Sequence, residues 1–305
     1  MSVSTDGGTG RGSEDAAIFA KHRSLLFTVA YEMLGSVADA EDVVSETYLR
    51  WAERSTTEAV EHPRAYLVRI VTRLALNRLR TLARRKEDYI GPWLPEPVLT
   101  VPDVVDDVVL SESVSLALLV VLESLSPAER AVFVLREVFG YSYDEIARAV
   151  DKTPAAVRQI AHRAQGHVLE QRPRFDTDRA TTEQVRERFA AAMFTGDVQS
   201  LMDVLAPDVV LLSDGGGKVS AARRPLNGAD PVARFLVGIA RKGGPNAVYE
   251  PLMINGAPAW ALVQDGRRTS IAQLDIVEGR VQRVHVIANP DKLSGVGQPR
   301  PLTRS

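Results

Sequence analysis

The chain has no cysteine among its 305 residues, which excludes disulfides and thiolate metal sites. Histidine is scarce as well, five in all, and His162 and His167 stand at a spacing that does not share a helical face, so no metal and no cofactor is expected. Long apolar runs are missing, and nothing approaches the ~18 residues of a membrane span. The opening stretch, MSVSTDGGTGRGSED, contains no apolar signal core. Residues 1–15 are expected to be a disordered tail on a cytoplasmic protein. A strong charge of either sign is lacking too: the net value is −2, so any binding of a polyanion must come from local charge. What remains is the composition of a globular protein, 45% apolar and 25% charged, with enough chain for about two domains or more.

Local charge is sharply divided. Residues 63–86 carry eight Arg or Lys and no acid, and residues 87–113 carry seven Asp or Glu and no base. Pro92, Pro95, Pro97 and Pro102 discourage helix in the acidic block, which reads as a linker with a helical end from about Val104. Charge alone leaves open whether the linker masks the basic segment or both simply face water. Upstream, Leu25, Leu26, Val29, Ala30, Met33 and Leu34 follow a helical period that Gly35 ends. A second helix runs from about Val37 to Trp51. Val43, Val44, Thr47, Tyr48 and Trp51 face inward, and Asp39, Glu41, Asp42 and Glu46 lie on the other face. A third begins near Pro63 with Leu67, Ile70, Val71, Leu74 and Leu82 inward and Arg69, Arg73, Arg80 and Arg84 mainly outward.

Two capping boxes follow, Ser126-Pro127-Ala128-Glu129 and Ser142-Tyr143-Asp144-Glu145. The second opens a short helix to Val150. A turn at Asp151-Lys152 then leads to a new helix at Thr153-Pro154, which is the helix-turn-helix layout. Its second helix turns Arg158, Gln159, His162, Arg163 and Gln165 outward, and Arg and Gln match the edges of guanine and adenine in the major groove. After Pro173 helices give way to strand-like runs, DVVLLS, AVYEPLMI, AWALVQ, SIAQLDIV and RVQRVHVI, interrupted by a helix at ADPVARFLVGIARK. This is an α+β pattern with mostly antiparallel strands.

ADAEDVVSETYLRWAE, HPRAYLVRIVTRLALNRLR and LSPAERAVFVLREVFGYSYDEIARAVDKTPAAVRQIAHRA together resemble the extracytoplasmic-function sigma factors. DYIGPWLPEP, DGGGKV and NPDKL are similar to the subgroup that carries a C-terminal SnoaL-like domain of the NTF2-like fold. The resemblance implies two small all-α domains, the second with the helix-turn-helix, followed by an α+β, NTF2-like, cone-shaped domain. It gives sigma domain 2 at 16–86, the acidic linker at 87–113, sigma domain 4 at 114–174, the regulatory domain at 176–293 and a polar tail at 294–305. It also implies core RNA polymerase and promoter DNA as partners. Asp39, Asp42 and Glu46 would meet the polymerase, although Ser45 stands where the family more often has Gln. Arg69, Arg73, Asn77, Arg80 and Arg84 would lie on the −10 DNA, Arg158, Gln159, His162, Arg163 and Gln165 on the −35 DNA, and the loop at about 55–61 would capture an unstacked base. No catalytic residue is needed, because the polymerase performs the chemistry.

The stretch Asp214-Gly215-Gly216-Gly217-Lys218 is not a phosphate loop, since position 212 is Leu and position 219 is Val. A hairpin turn needs fewer glycines. The resemblance ties it, with Asn289, Pro290, Asp291, Lys292 and Leu293, to self-regulation through contact with other parts of the chain. Two other readings remain at this level. The fold hosts enzymes that use a pocket carboxylate, for which Asp214, Asp275 and His285 are the candidates, with Asp214 expected to be exposed and His285 a core residue. It also hosts small ligands, so an unknown one could bind the C-terminal domain.

Overall fold

The computed structural model describes residues 8–54, 60–100, 108–171, 179–242, 244 and 246–304. Helix α1 spans Gly8–Leu34, α2 Val37–Ala52 and α3 Pro63–Glu87. Residues 8–15 therefore extend α1 instead of forming a tail. Asp15 is fixed there, its carbonyl accepting the Trp51 indole N–H at 2.9 Å. Gly35, at φ 66°, closes α1, and Ser36 caps α2 through the Asp39 amide. Val43, Val44, Thr47 and Trp51 are buried as expected, but Tyr48 is 39% exposed and stacks edge-on against Phe19 from outside the core.

The acidic linker ends in α4 (Val108–Ser113), and after it come α5 (Leu116–Leu122) and α6 (Pro127–Phe133), the last running into a π turn at Val134–Val138. Both capping boxes form. Helix α7 (Tyr143–Val150) ends in Asp151 at φ 57°, and Thr153 caps α8 (Pro154–Gln171) through the Ala156 amide, so the helix-turn-helix is present. A continuous apolar cluster reaches from Phe19 in α1 to Val168 in α8, so the two helical domains share a core.

Helices α9 (Arg179–Thr195), α10 (Val198–Val204) and α11 (Ala229–Lys242) belong to the α+β domain. Its strands are β1 (Leu205–Asp214), β2 (Leu226–Asn227), β3 (Val248–Ile254), β4 (Ala257–Gln264), β5 (Arg267–Val277) and β6 (Arg280–Ile287). They form one sheet in the order β2-β1-β6-β5-β4-β3. Pairing is antiparallel except between β1 and β6, where the chain returns to the middle of the sheet. Leu274, Ile276, Val284 and Val286 face α9–α11. Ile271 and Ile287 face the other way, into a cluster with Leu94 of the linker and Leu116 of α5. That second face joins the α+β domain to the rest of the molecule. A final turn, α12 (Pro290–Leu293), precedes a tail that is less polar in its role than in its composition, since Leu302 is buried in the helical core.

Candidate regulatory junction and nucleic-acid interface

Between α3 and Thr100 the acidic linker is an extended strap. Glu96 reaches the start of α2, where its carboxylate accepts from the Ser36 hydroxyl at 2.9 Å and the Val37 amide at 2.6 Å. An acid at a helix N-terminus meets free N–H groups and the positive end of the dipole. The Glu96 carbonyl accepts the Tyr31 hydroxyl at 2.6 Å, and its amide donates to the Gly35 carbonyl at 2.8 Å. One end of the strap is thereby bound where α1 meets α2.

The other end enters the α+β domain at Asp214. This residue was expected to be exposed and is completely buried. Alternation along β1 turns it to the same face as Leu212, towards the linker. Its carboxylate accepts from the Tyr89 hydroxyl at 2.5 Å, the Leu94 amide at 2.8 Å, the Gly216 amide at 3.1 Å and the Lys292 ammonium at 2.7 Å. Lys292, also buried, donates to the Leu94 carbonyl and sits 3.9 Å above the Trp93 ring, a cation–π contact. Burial, followed by the adjacent Asp214 carboxylate, pushes the Tyr89 phenol well above its ordinary value.

The two C-terminal motifs thus meet each other and the strap. Asn289 caps α12 through the Asp291 amide and donates to the Tyr89 hydroxyl at 2.8 Å. Pro290 occupies the first turn, Leu293 enters the apolar cluster below, and Lys218 pairs with Asp291 on the surface at 2.5 Å. The three glycines have separate reasons. A Cβ at Gly215 would meet Ala221 at 2.7 Å, one at Gly216 would collide with the Asn289 side chain, and one at Gly217 would meet Ile90 of the strap at 2.9 Å. A triple glycine is what a loop needs when it is approached closely from three sides.

A second junction was missed in the sequence. Asn255, at φ 53° in the β3–β4 turn, is buried among the helical domains. It donates to the Tyr31 hydroxyl and the Val114 carbonyl at 2.7 Å each, and accepts from the Val98 amide at 2.9 Å. The Asn-Gly dipeptide signals a hairpin, but nothing local tells that the hairpin is inserted into another domain. The tail adds a third tie: Arg300 pairs with Glu41 of α2, and the Thr303 amide donates to the Thr28 hydroxyl at 3.0 Å.

The surfaces implied for DNA and polymerase are partly engaged within the chain. Arg73 donates to the carbonyls of Arg148, at 3.0 Å, and Ala149, at 3.4 Å, where α7 ends, so α3 is packed on the helix-turn-helix. Arg69 lies over the Tyr66 ring at 5.0 Å, Asn77 accepts from Arg80 at 3.0 Å on the open surface, and the side chain of Arg84 falls outside the described residues. The base-capturing loop does so too at 55–59. On α8, Arg158, Gln159 and His162 are exposed, and Arg163 stands 3.6 Å from Glu129. Gln165 donates to Glu137 at 2.8 Å on the open surface. Asp39 is held by Arg78 at 2.6 Å and Glu46 by Arg50 at 2.7 Å, and the Asp42 side chain, 3.6 Å from Arg78, is 73% exposed. Asp275 and His285 hydrogen-bond each other at 2.9 Å, buried on the sheet face turned away from α9–α11. Neither therefore lies in the space between helices and sheet. Among the described residues no group of three His, Asp or Glu is placed to hold a metal, and no helix is long and apolar enough to cross a membrane.

Comparison with known proteins gives two family matches, "Sigma-70 region 2" over residues 18–85 and "Sigma-70, region 4" over residues 115–166. The chain is 39% identical over 287 residues to the ECF RNA polymerase sigma factor SigJ of Mycobacterium tuberculosis, covering 90% of this chain and 91% of that one. It is 30% identical to the probable ECF RNA polymerase sigma factor SigI of the same species, covering 91% and 94%. The crystal structure of the M. tuberculosis extracytoplasmic function sigma factor SigJ superposes with a TM-score of 0.73 at 36% identity, covering 94% of this chain and 99% of that one.

Proposed function

Because the chain belongs to the extracytoplasmic-function RNA polymerase sigma factors, it directs promoter-specific initiation by core RNA polymerase, and we propose that its fused α+β domain clamps the two sigma domains together in place of a separate anti-sigma protein. The observation that carries this reading is the buried Asp214–Lys292 pair closed over the strap. Strap, glycine loop and α12 are far apart in sequence, and a buried ion pair with so many donors around it is costly to open. The clamp keeps α3 against α7, where Arg73 is spent on backbone carbonyls and cannot hold a phosphate. A fused domain acts at high effective concentration, so the release of modest contacts decides how often the promoter-binding surfaces are free.

Within this reading Arg69, Arg73, Asn77, Arg80 and Arg84 serve the −10 element, Arg158, Gln159, His162 and Arg163 the −35 element, and Asp42, with Asp39 and Glu46, the polymerase. Arg158→Ala then weakens binding of a −35 duplex by about 1–3 kcal/mol. Asp42→Lys abolishes co-elution with core polymerase while leaving the fold intact, because that side chain faces water. The enzymatic alternative has less support: Asp214 is occupied by the junction, and Asp275 and His285 are occupied by each other.

Run-off transcription with core polymerase on the gene's own upstream region tests the clamp. Asp214→Ala and deletion of 294–305 are expected to raise transcript yield, with circular dichroism confirming the fold. Unchanged or lower yield from folded variants overturns the reading.

A further inference from the structure

Beside the junction lies a polar cavity of about 160 Å³. Its walls are Ser213 at the end of β1, Gly215 and Gly217 of the glycine loop, Ser220 and Arg223 of the segment that follows, and Gly91 of the strap. No acidic side chain lines it. Ser213 is 2% exposed, and its hydroxyl has no hydrogen-bond partner among the described residues. Arg223 is exposed and has no acidic partner among the described residues. One cation, free hydroxyls and bare glycine backbone around a space of about five waters suit a small anion better than an apolar ligand or a nucleotide.

We propose that this cavity binds a small oxyanion, a carboxylate or phosphate group held by Arg223 with the hydroxyls of Ser213 and Ser220. The strap forms part of the site: Gly91 lies beside Arg223, where a Cβ would be in ordinary contact at 3.7 Å from the Arg223 Cα, and Ile90 covers Gly217. The complete site exists only while the strap is seated. A ligand that binds the seated state alone, at ten times its dissociation constant, raises the seated-to-released ratio about elevenfold. That consequence rests on the clamp reading; the binding itself does not.

The test uses full-length protein labelled with ¹⁵N-glycine, titrated separately with inorganic phosphate and with succinate at constant ionic strength set with chloride. Saturable shifts of the Gly91, Gly215 and Gly217 amides are expected with one or both probes, and which probe acts distinguishes phosphate from carboxylate recognition. Arg223→Gln is expected to abolish them and Ser213→Ala to weaken them. Absence of saturable shifts with both probes, or equal shifts in wild type and Arg223→Gln, overturns the proposal. The Asp214→Ala run-off experiment reads the clamp without added anion, so failure of one does not imply failure of the other.

Discussion

Two completely buried acids sit at the seams of this molecule, and their surroundings differ. Asp214, between strap and α+β domain, is met by a hydroxyl, two amides and an ammonium. Glu32, between α1 and the helices that follow the linker, receives one hydrogen bond, from the Ser113 hydroxyl at 2.9 Å, and its Oε2 has no partner among the described residues. Arg130 is close, but it donates to the Glu32 carbonyl at 3.0 Å and to the Glu123 carboxylate at 2.6 Å. Burial consequently pushes the Glu32 carboxyl up to about 8, against smaller lowering by Ser113 and Arg130. The difference teaches that proximity of a cation is not enough. The Asp214 seam is a matched ion pair that resists opening, and the Glu32 seam is a neutral acid that is comfortable only while protonated.

Breaking the stronger seam gives the largest effect. Asp214→Ala leaves the Lys292 ammonium buried without its counter-charge and is expected to cost about 3–5 kcal/mol in urea unfolding. Adding Lys292→Met should recover a substantial part, since removing both charges is far less costly than removing one. A loss as small as that of a surface pair would mean that the seam is not dry.

Glu32→Gln sharpens the contrast. The carboxyl is raised in the folded protein, to about 8 from 4.5, so the folded state holds its proton where the unfolded chain has released it. This contribution to stability is complete below about pH 4.5 and is lost as pH rises towards 8, with a slope of up to about 1.4 kcal/mol per pH unit. Glu32→Gln keeps the hydrogen-bonding shape without the charge. It should flatten that slope and exceed wild type in stability at pH 8, as read from urea unfolding at several pH values. Parallel curves for both proteins would show that Glu32 is solvated.

The helices were legible because their signals are local: two capping boxes, Pro63 and Pro154 at helix starts, and Gly35 at an end all did what their chemistry predicts. The strands were legible as alternating runs, although the parallel β1–β6 pairing was not, because it joins segments about 70 residues apart. The junction was half legible. The glycine loop and NPDKL stood out as segments with no place in an ordinary strand, but the burial of Asp214 comes from Tyr89, Leu94 and Lys292, which no local pattern connects. Asn255 was invisible for the same reason, as was the strap's role, where charge pattern left masking and plain solvation both open and Glu96 is used as a helix cap.

The smallest expected effect lies within the same motif as the largest. Lys218 and Asp214 are four residues apart, and each pairs with one member of the 289–293 turn, Lys218 with Asp291 and Asp214 with Lys292. The Lys218 and Asp291 side chains are 54% and 64% exposed. Their attraction is weakened by water and salt, and holding two long side chains in one geometry consumes most of the gain. Lys218→Ala is therefore expected to change stability by about 0–1 kcal/mol, with a difference that shrinks further at high salt. The measurement is urea unfolding at low and high sodium chloride beside Asp214→Ala. A Lys218→Ala loss comparable to that of Asp214→Ala, insensitive to salt, would show that the outer pair closes the junction and that the buried pair follows it.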